Sequence, residues 1–207
     1  MDPLELAGYG PVIPVIVIDR LEDAVPMASA LVEGGVRVLE VTLRTPVALQ
    51  AIAAIAKAVP QAVVGAGTVR NAADAHAAHA AGARFIVSPG YTPAIGIACR
   101  SIDVALLPGV STASEAMTAF DDGFSFLKLF PATAVGGIPL LKALAGPLAD
   151  IAFCPTGGIT PETAPQFLAL PNVKVVGGSW LTPADALKNG DWARVTALAK
   201  AASALRA

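Results

Sequence analysis

Short apolar runs separated by alanine-rich segments recur along the whole chain, and their spacing sets the expected architecture. The runs "VIPVIVI" from Val12, "VRVLEVTL" from Val36, "AVVGAG" from Ala62 and "RFIVSP" from Arg84 read as strands. So do "DVALLPG" from Asp103, "FSFLKLF" from Phe124, "IAFCPTGG" from Ile151 and "VKVVGGS" from Val173, which makes eight. Several are apolar at consecutive positions, as parallel strands covered on both faces must be. The stretches between them carry helical signals over Leu21 to Glu33, Pro46 to Ala58, Ala72 to Ala81, Thr112 to Asp121 and Pro161 to Leu170. "STASE" supplies a hydroxyl and an acid spaced for a helix N-terminus. Asp191 to Ala207 predicts a final amphipathic helix with Trp192 near its start.

Eight strand-and-helix units in 207 residues satisfy the count of an α/β fold of the (β/α)8 TIM-barrel type, as one domain over residues 1–207. The rival is an open doubly wound sheet. Its nucleotide fingerprint is poorly met, because "GAGTVRNA" supplies Gly65 and Gly67 but has Asn71 near the place of the third glycine. No linker, low-complexity tract or charge block marks a second domain.

Composition narrows the classes of function. Hydrophobic residues make up 55% of the chain and mean hydropathy is +0.64. Even so, Arg37, Glu40, Lys57, Lys142 and Asp150 interrupt the most apolar stretches before the roughly 18 to 20 residues that a membrane span needs. A net charge of -2 without a Lys/Arg cluster offers no nucleic-acid or anionic-lipid surface. The opening "MDPLELAGYG" places no basic residue ahead of an apolar segment, so neither a secretory signal nor a transit peptide is expected and the expected location is cytoplasmic. Cys99 and Cys154 are too few and too far apart for a disulfide framework or a CxxC metal site, and read as buried small hydrophobes.

Candidate chemistry concentrates at the carboxyl ends of the expected strands, where barrels carry their active sites. In "RVLEVTLR" the even positions Val38, Glu40, Thr42 and Arg44 grow progressively polar, while Leu39, Val41 and Leu43 form an apolar odd face. The odd face suits packing against helices, which directs Glu40, Thr42 and Arg44 toward the barrel axis. Glu40 and Arg44 lie about 13 Å apart on an extended strand, too far for a relaxed ion pair unless the chain bends after Leu43.

The sixth run offers Glu40 another partner. Alternation puts Lys128 on one face with Phe124, Phe126 and Phe130. Burying an ammonium is expensive unless it is paired or its neutral amine is wanted. One reading is a structural Glu40/Lys128 pair; the other makes Lys128 an amine nucleophile toward a substrate carbonyl, with Glu40 as proton shuttle. An apolar setting from Phe126 and Phe130, and a cation such as Arg44, would both favour the unprotonated amine. On the second reading Lys128→Met abolishes turnover and leaves stability equal or higher, because a costly buried amine is removed. Thr68 ends the third run, and its hydroxyl either holds a substrate oxygen or caps a helix or turn.

The pairs Gly157 with Gly158, and Gly177 with Gly178 followed by Ser179, end the seventh and eighth runs. Many barrels build a phosphate site from the backbone N–H groups of these two loops. His76 and His79, the only histidines, stand three apart on an alanine-rich helix away from strand ends. Neither a metal centre nor a Ser/His/Asp triad is therefore expected.

Taken together these residues resemble the 2-keto-3-deoxy-6-phosphogluconate aldolase family, class I enzymes that also cleave 4-hydroxy-2-oxoglutarate. The resemblance runs through "PVIPVIVI", "GGVRVLEVTLRT", "VGAGTV", "SPG", "PGVST", "KLFPA", "FCPTGGI" and "GGSWL". It implies Lys128 as the Schiff-base lysine and Glu40 as general acid/base, acting partly through water. It implies that Arg44 and Thr68 hold the pyruvate carboxylate and keto region, that Pro89 and Phe130 line the pocket, and that Thr156 bears on stereochemistry at C4. The glycine loops with Ser179 would hold the 6-phosphate. No cofactor is implied, and the expected assembly is a homotrimer. Departures fall in the amino-terminal stretch, the alanine-rich helices and "YTPAIGIACR", around Tyr91. Competing readings are an aldolase for the galactonate epimer, a barrel epimerase or isomerase without a covalent imine, and a sugar-phosphate binding protein.

Overall fold

A computed structural model describes residues 3–206. Met1, Asp2 and Ala207, the ends of the expected domain and of the expected final helix, lie outside the described residues. Among the described residues the strands are β1 (Val12–Ile16), β2 (Val38–Thr42), β3 (Val63–Gly67), β4 (Phe85–Val87), β5 (Ala105–Leu107), β6 (Gly109–Val110), β7 (Phe126–Leu129), β8 (Ala152–Pro155) and β9 (Val176–Gly178). The helices are α1 (Ala24–Glu33), α2 (Ala48–Ala58), α3 (Ala72–Ala80), α4 (Pro93–Ser101), α5 (Ala113–Asp121), α6 (Gly137–Leu144), α7 (Ala164–Leu168), α8 (Ala184–Asn189) and α9 (Trp192–Ser203).

The architecture is α/β. A curled, six-stranded parallel sheet runs β5-β4-β3-β2-β1-β9, and a three-stranded parallel sheet runs β6-β7-β8. Each of the eight expected runs holds a strand, but the fifth is divided. Pro108 separates β5 from β6; it has no N–H to give to a ladder, although its carbonyl still accepts from Lys128 N at 2.8 Å. At the other side of the small sheet, isolated bridges join Phe153 to Val173 and Thr156 to Gly177.

Helix starts follow the local chemistry that their sequences carry. Thr112 and Glu115 make a reciprocal capping box at α5, the hydroxyl-and-acid signal of "STASE". Asn71, Thr92 and Asp191 cap α3, α4 and α9 through their side-chain oxygens. The final helix begins where Trp192 predicts and closes in a 3-10 turn, Ala204–Arg206. No helix among the described residues is long and apolar enough to cross a membrane.

Strand alternation divides the core in two. The odd-face residues of β2, Leu39 and Val41, belong to the large apolar layer between strands and helices. Ile13, Val38, Val63, Phe85 and Phe126 face the other way and form a second, inner cluster. Leu6, from an amino-terminal 3-10 turn (Pro3–Tyr9), inserts into this inner cluster. Val38 and Phe126 of this inner layer lie one inward position before Glu40 and Lys128 on their strands. It forms an apolar floor under the polar residues.

Candidate active site

Glu40 and Lys128 meet, as alternation requires of inward positions on β2 and β7. Lys128 Nζ donates to Glu40 Oε1 at 3.1 Å. Both are buried, at 3% and 4% exposure. The Lys128 ammonium also stands 5.3 Å from the centre of the Phe130 ring, which adds a cation–π contact. Phe126 lies below in the inner cluster. Phe124 does not share this environment: β7 starts at Phe126, and Phe124 packs edge-on to Tyr91 at 5.4 Å and under Arg100.

Cys154 is the Cα partner of Lys128 across β7 and β8. Burial pushes its thiol up to about 12, against the opposing pull of Lys128. It therefore presents a neutral, weakly polar wall beside the amine. Its sulfur stands 3.8 Å from the Thr156 hydroxyl, which is buried above it.

Arg44 lies just beyond the strand that carries Glu40. β2 ends at Thr42, the Arg44 N–H bonds back to the Thr42 carbonyl at 2.8 Å, and the chain turns before the side chain can follow the strand face. Arg44 is exposed at the rim, where its Nε donates to the Thr68 hydroxyl at 3.2 Å. Thr68 has φ 60, a left-handed conformation that a β-branched residue adopts only at a cost of about 1–3 kcal/mol. That conformation turns the hydroxyl toward β2 rather than into a helix cap.

Arg44, Phe130, Thr156, Gly157, Gly158, Gly177, Gly178 and Ser179 line one open cavity of about 210 Å³, with Val15 and Ile159. The site residues of four expected runs thus converge. Lys128, Glu40, Thr68 and Pro89 stand outside that lining, the buried pair reaching it through the Phe130 ring that Lys128 faces; the Pro89 backbone lies against Gly109, the residue paired with Lys128. The glycine pairs have different reasons to be glycine. Gly157 and Gly158 take φ 103 and φ 75, so they need left-handed freedom. At Gly177 a Cβ would strike the Thr156 hydroxyl at 2.1 Å, and at Gly178 the Trp180 ring at 1.9 Å. A second groove, of about 870 Å³, continues from Val15 and Ser179 past Trp180, Arg20 and Lys188.

Sequence reasoning passed over Cys154 as part of the site, Trp180, and the strand glycines Gly67 and Gly109. The signal was available for Trp180, which directly follows "GGS"; the others become visible only once strands are in register. His76 bonds through its ring to the Ala72 carbonyl on α3. Among the described residues no group of three His, Cys, Asp or Glu side chains is placed to hold a metal ion.

This geometry accords with what comparison with known proteins finds. The profile of the KDPG and KHG aldolase family matches residues 5–198. The 2-dehydro-3-deoxy-phosphogluconate aldolase of Pseudoalteromonas atlantica is 54% identical over 200 residues, covering 97% of this chain and 93% of the relative. The KHG/KDPG aldolase of Escherichia coli K12 is 55% identical over 193 residues, covering 93% and 91%. Among solved structures, the KDPG aldolase of Legionella pneumophila, holding pyruvate as a covalent carbinolamine, superposes with a TM-score of 0.96 at 48% identity over 99% of both chains. With the buried lysine and carboxylate at the open strand ends and a match over almost its whole length, the chain belongs to the KDPG and KHG aldolase family.

Proposed function

We propose that this protein is a class I aldolase that cleaves 2-dehydro-3-deoxy-6-phosphogluconate to pyruvate and glyceraldehyde 3-phosphate through an imine on Lys128. The observation that carries the reading is the buried Lys128–Glu40 contact of 3.1 Å beside a cavity that Arg44 and two glycine pairs enclose. A relative 48% identical, with pyruvate held as a covalent carbinolamine, supports the covalent step.

In this mechanism Lys128 passes a proton to Glu40 across their 3.1 Å contact, and the neutral amine attacks the C2 carbonyl. The carbinolamine loses its oxygen as water and leaves a protonated imine. Glu40 takes the C4 hydroxyl proton, directly or through water, and the C4 aldehyde forms as the C3–C4 bond breaks. The electron pair of that bond moves into the imine and gives an enamine. Protonation at C3 and hydrolysis release pyruvate and restore the amine. Arg44, held against Thr68, is the group that meets the substrate carboxylate, and Thr68 meets the keto region. Phe130 and Pro89 bound the reacting end, and Thr156 faces C4. Gly157, Gly158, Gly177, Gly178 and Ser179 hold the phosphate. The smaller 4-hydroxy-2-oxoglutarate fits the same chemistry without the phosphate contacts, yielding pyruvate and glyoxylate.

The fold follows the same reading: one catalytic domain over residues 1–207, whose two sheets are arcs of a closed (β/α)8 barrel with β5 and β6 as one strand broken at Pro108. Support comes from the Lys128-to-Pro108 hydrogen bond at one seam and the Thr156–Gly177 bridge at the other. The assembly is a homotrimer and the location cytoplasmic.

The test is intact-mass spectrometry after incubation with pyruvate and borohydride, then peptide mapping. The expected result is a reduced pyruvyl adduct on Lys128. A folded protein that binds pyruvate without forming the adduct would instead point to the epimerase or binding-protein chemistry.

A further inference from the structure

Glu40 sits on β2 opposite Gly65 of β3, and its side chain leans along the strands so that it lies over the next inward position, Gly67. A Cβ built on Gly67 would lie 2.2 Å from Glu40 Oε1, 2.6 Å from Cγ and 2.8 Å from Cδ. Oε1 is the oxygen that accepts from Lys128. Nothing in the backbone asks for glycine here. Gly67 is in register with Thr42 in a regular strand, and it is not among the glycines with positive φ. An alanine would ordinarily be favoured over glycine in such a strand.

The same strand end also orders the rim. The Gly67 carbonyl accepts from Leu43 N at 2.8 Å, and Thr68, next in sequence, receives Arg44 Nε. From these contacts we infer that Gly67 is a positioning residue: it is bare so that the Glu40 carboxylate can lie across it and reach Lys128. This rests on the reading of Glu40 as the acid/base. Its neighbour Gly65 is bare for another purpose, since a Cβ there would meet the Phe85 ring of the apolar floor at 2.5 Å.

Gly67→Ala obliges the carboxylate to leave its present position against the amine by an appreciable fraction of an ångström or more. A misplacement of about 1 Å in a catalytic group costs on the order of 100-fold in rate. The experiment compares four proteins: the parent, Gly67→Ala, Glu40→Ala, and the double variant. Borohydride trapping with pyruvate is run on the parent, and steady-state kinetics and thermal melting on all four. The expected result is a kcat loss of about 100-fold in Gly67→Ala, with KM for the phosphorylated substrate changed by no more than a few-fold. In the Glu40→Ala background, where the Cβ has room, adding Gly67→Ala leaves the rate unchanged and the melting temperature equal or higher. If Gly67→Ala alone fails to fold while the double variant folds, the steric conflict with Glu40 is equally supported. Parental kcat in Gly67→Ala would overturn the inference. So would equal losses in both backgrounds, or failure of both variants to fold, because the strand itself would then reject the side chain. Failure of the parent to trap pyruvate would overturn the aldolase reading instead.

Discussion

Replacing Lys128 by methionine tests the buried pair directly, and the geometry alters what the sequence leads one to expect. Read alone, Lys128 is a costly amine whose loss should leave stability equal or higher. In the fold it is the hydrogen-bond partner of a carboxylate that is itself 3% exposed. Removing one member of such a pair leaves the other buried without its counter-charge, which typically costs about 3–5 kcal/mol. Lys128→Met is therefore expected to lose turnover and to unfold at lower denaturant by about 3 kcal/mol. Lys128→Met/Glu40→Gln, which removes the orphaned charge as well, should regain most of that loss while remaining inactive. Equal stability of the two variants, measured by urea unfolding, would mean that Glu40 finds another partner. The contact between these two residues was anticipated from strand parity. The turn that sets Arg44 against Thr68 was left open as a bend after Leu43, because alternation describes a side chain only while the strand continues, and β2 stops at Thr42.

Among the elements, the junction of α4 with the turn after α5 joins parts of the chain that sequence reading treats separately. Tyr91 precedes α4, and its hydroxyl donates to Asp122, the residue that ends α5; Arg100 of α4 donates to the Asp122 carbonyl at 3.2 Å. Burial, then the hydrogen bond to Asp122, push the Tyr91 phenol up to about 12 from an ordinary 10.0. The folded state therefore holds this proton more tightly than the unfolded chain. The resulting stabilisation is fully present below pH 10 and is lost as pH rises from 10 toward 12. Tyr91→Phe should be less stable by about 1 kcal/mol at neutral pH, and its stability should fall less steeply between those limits. Parallel slopes for parent and variant in pH-resolved thermal melts would refute the coupling. The residue departs from the resemblance noted in sequence, and its role here is to tie two helical units together through Asp122 and Phe124.

Across the whole molecule, the inner apolar cluster carries the polar site above it, and the amino-terminal turn helps to close that cluster. Leu6 is 1% exposed although it belongs to a short 3-10 turn before the first strand. Leu6→Ala should destabilise the protein by about 2–5 kcal/mol through lost burial and a residual cavity. The folded fraction should keep parental kcat, since Leu6 packs in the apolar floor with Val38 and Phe126 and takes no part in the Lys128–Glu40 contact above it. A loss of kcat without a loss of stability would place the turn in the reaction rather than in the scaffold. Calorimetry and activity at a temperature well below the melting transition separate these outcomes.

The sequence by itself determined the rhythm of strand and helix, the cap of α5, the inward direction of Glu40 and Lys128, and the glycine pairs that end two strands. Each of these is a local property: side-chain parity, capping chemistry and left-handed backbone are specified by residues a few positions apart. Only the tertiary structure decided that Pro108 divides a strand, that Leu6 returns to fill the inner layer, and that Gly67 is bare because Glu40 lies over it. It also fixed the length of the Lys128–Glu40 contact at 3.1 Å, where strand parity had supplied only the pairing. These depend on the register between strands and on the curl of the sheets. Both are set by packing summed over many residues, which no single segment of the chain carries.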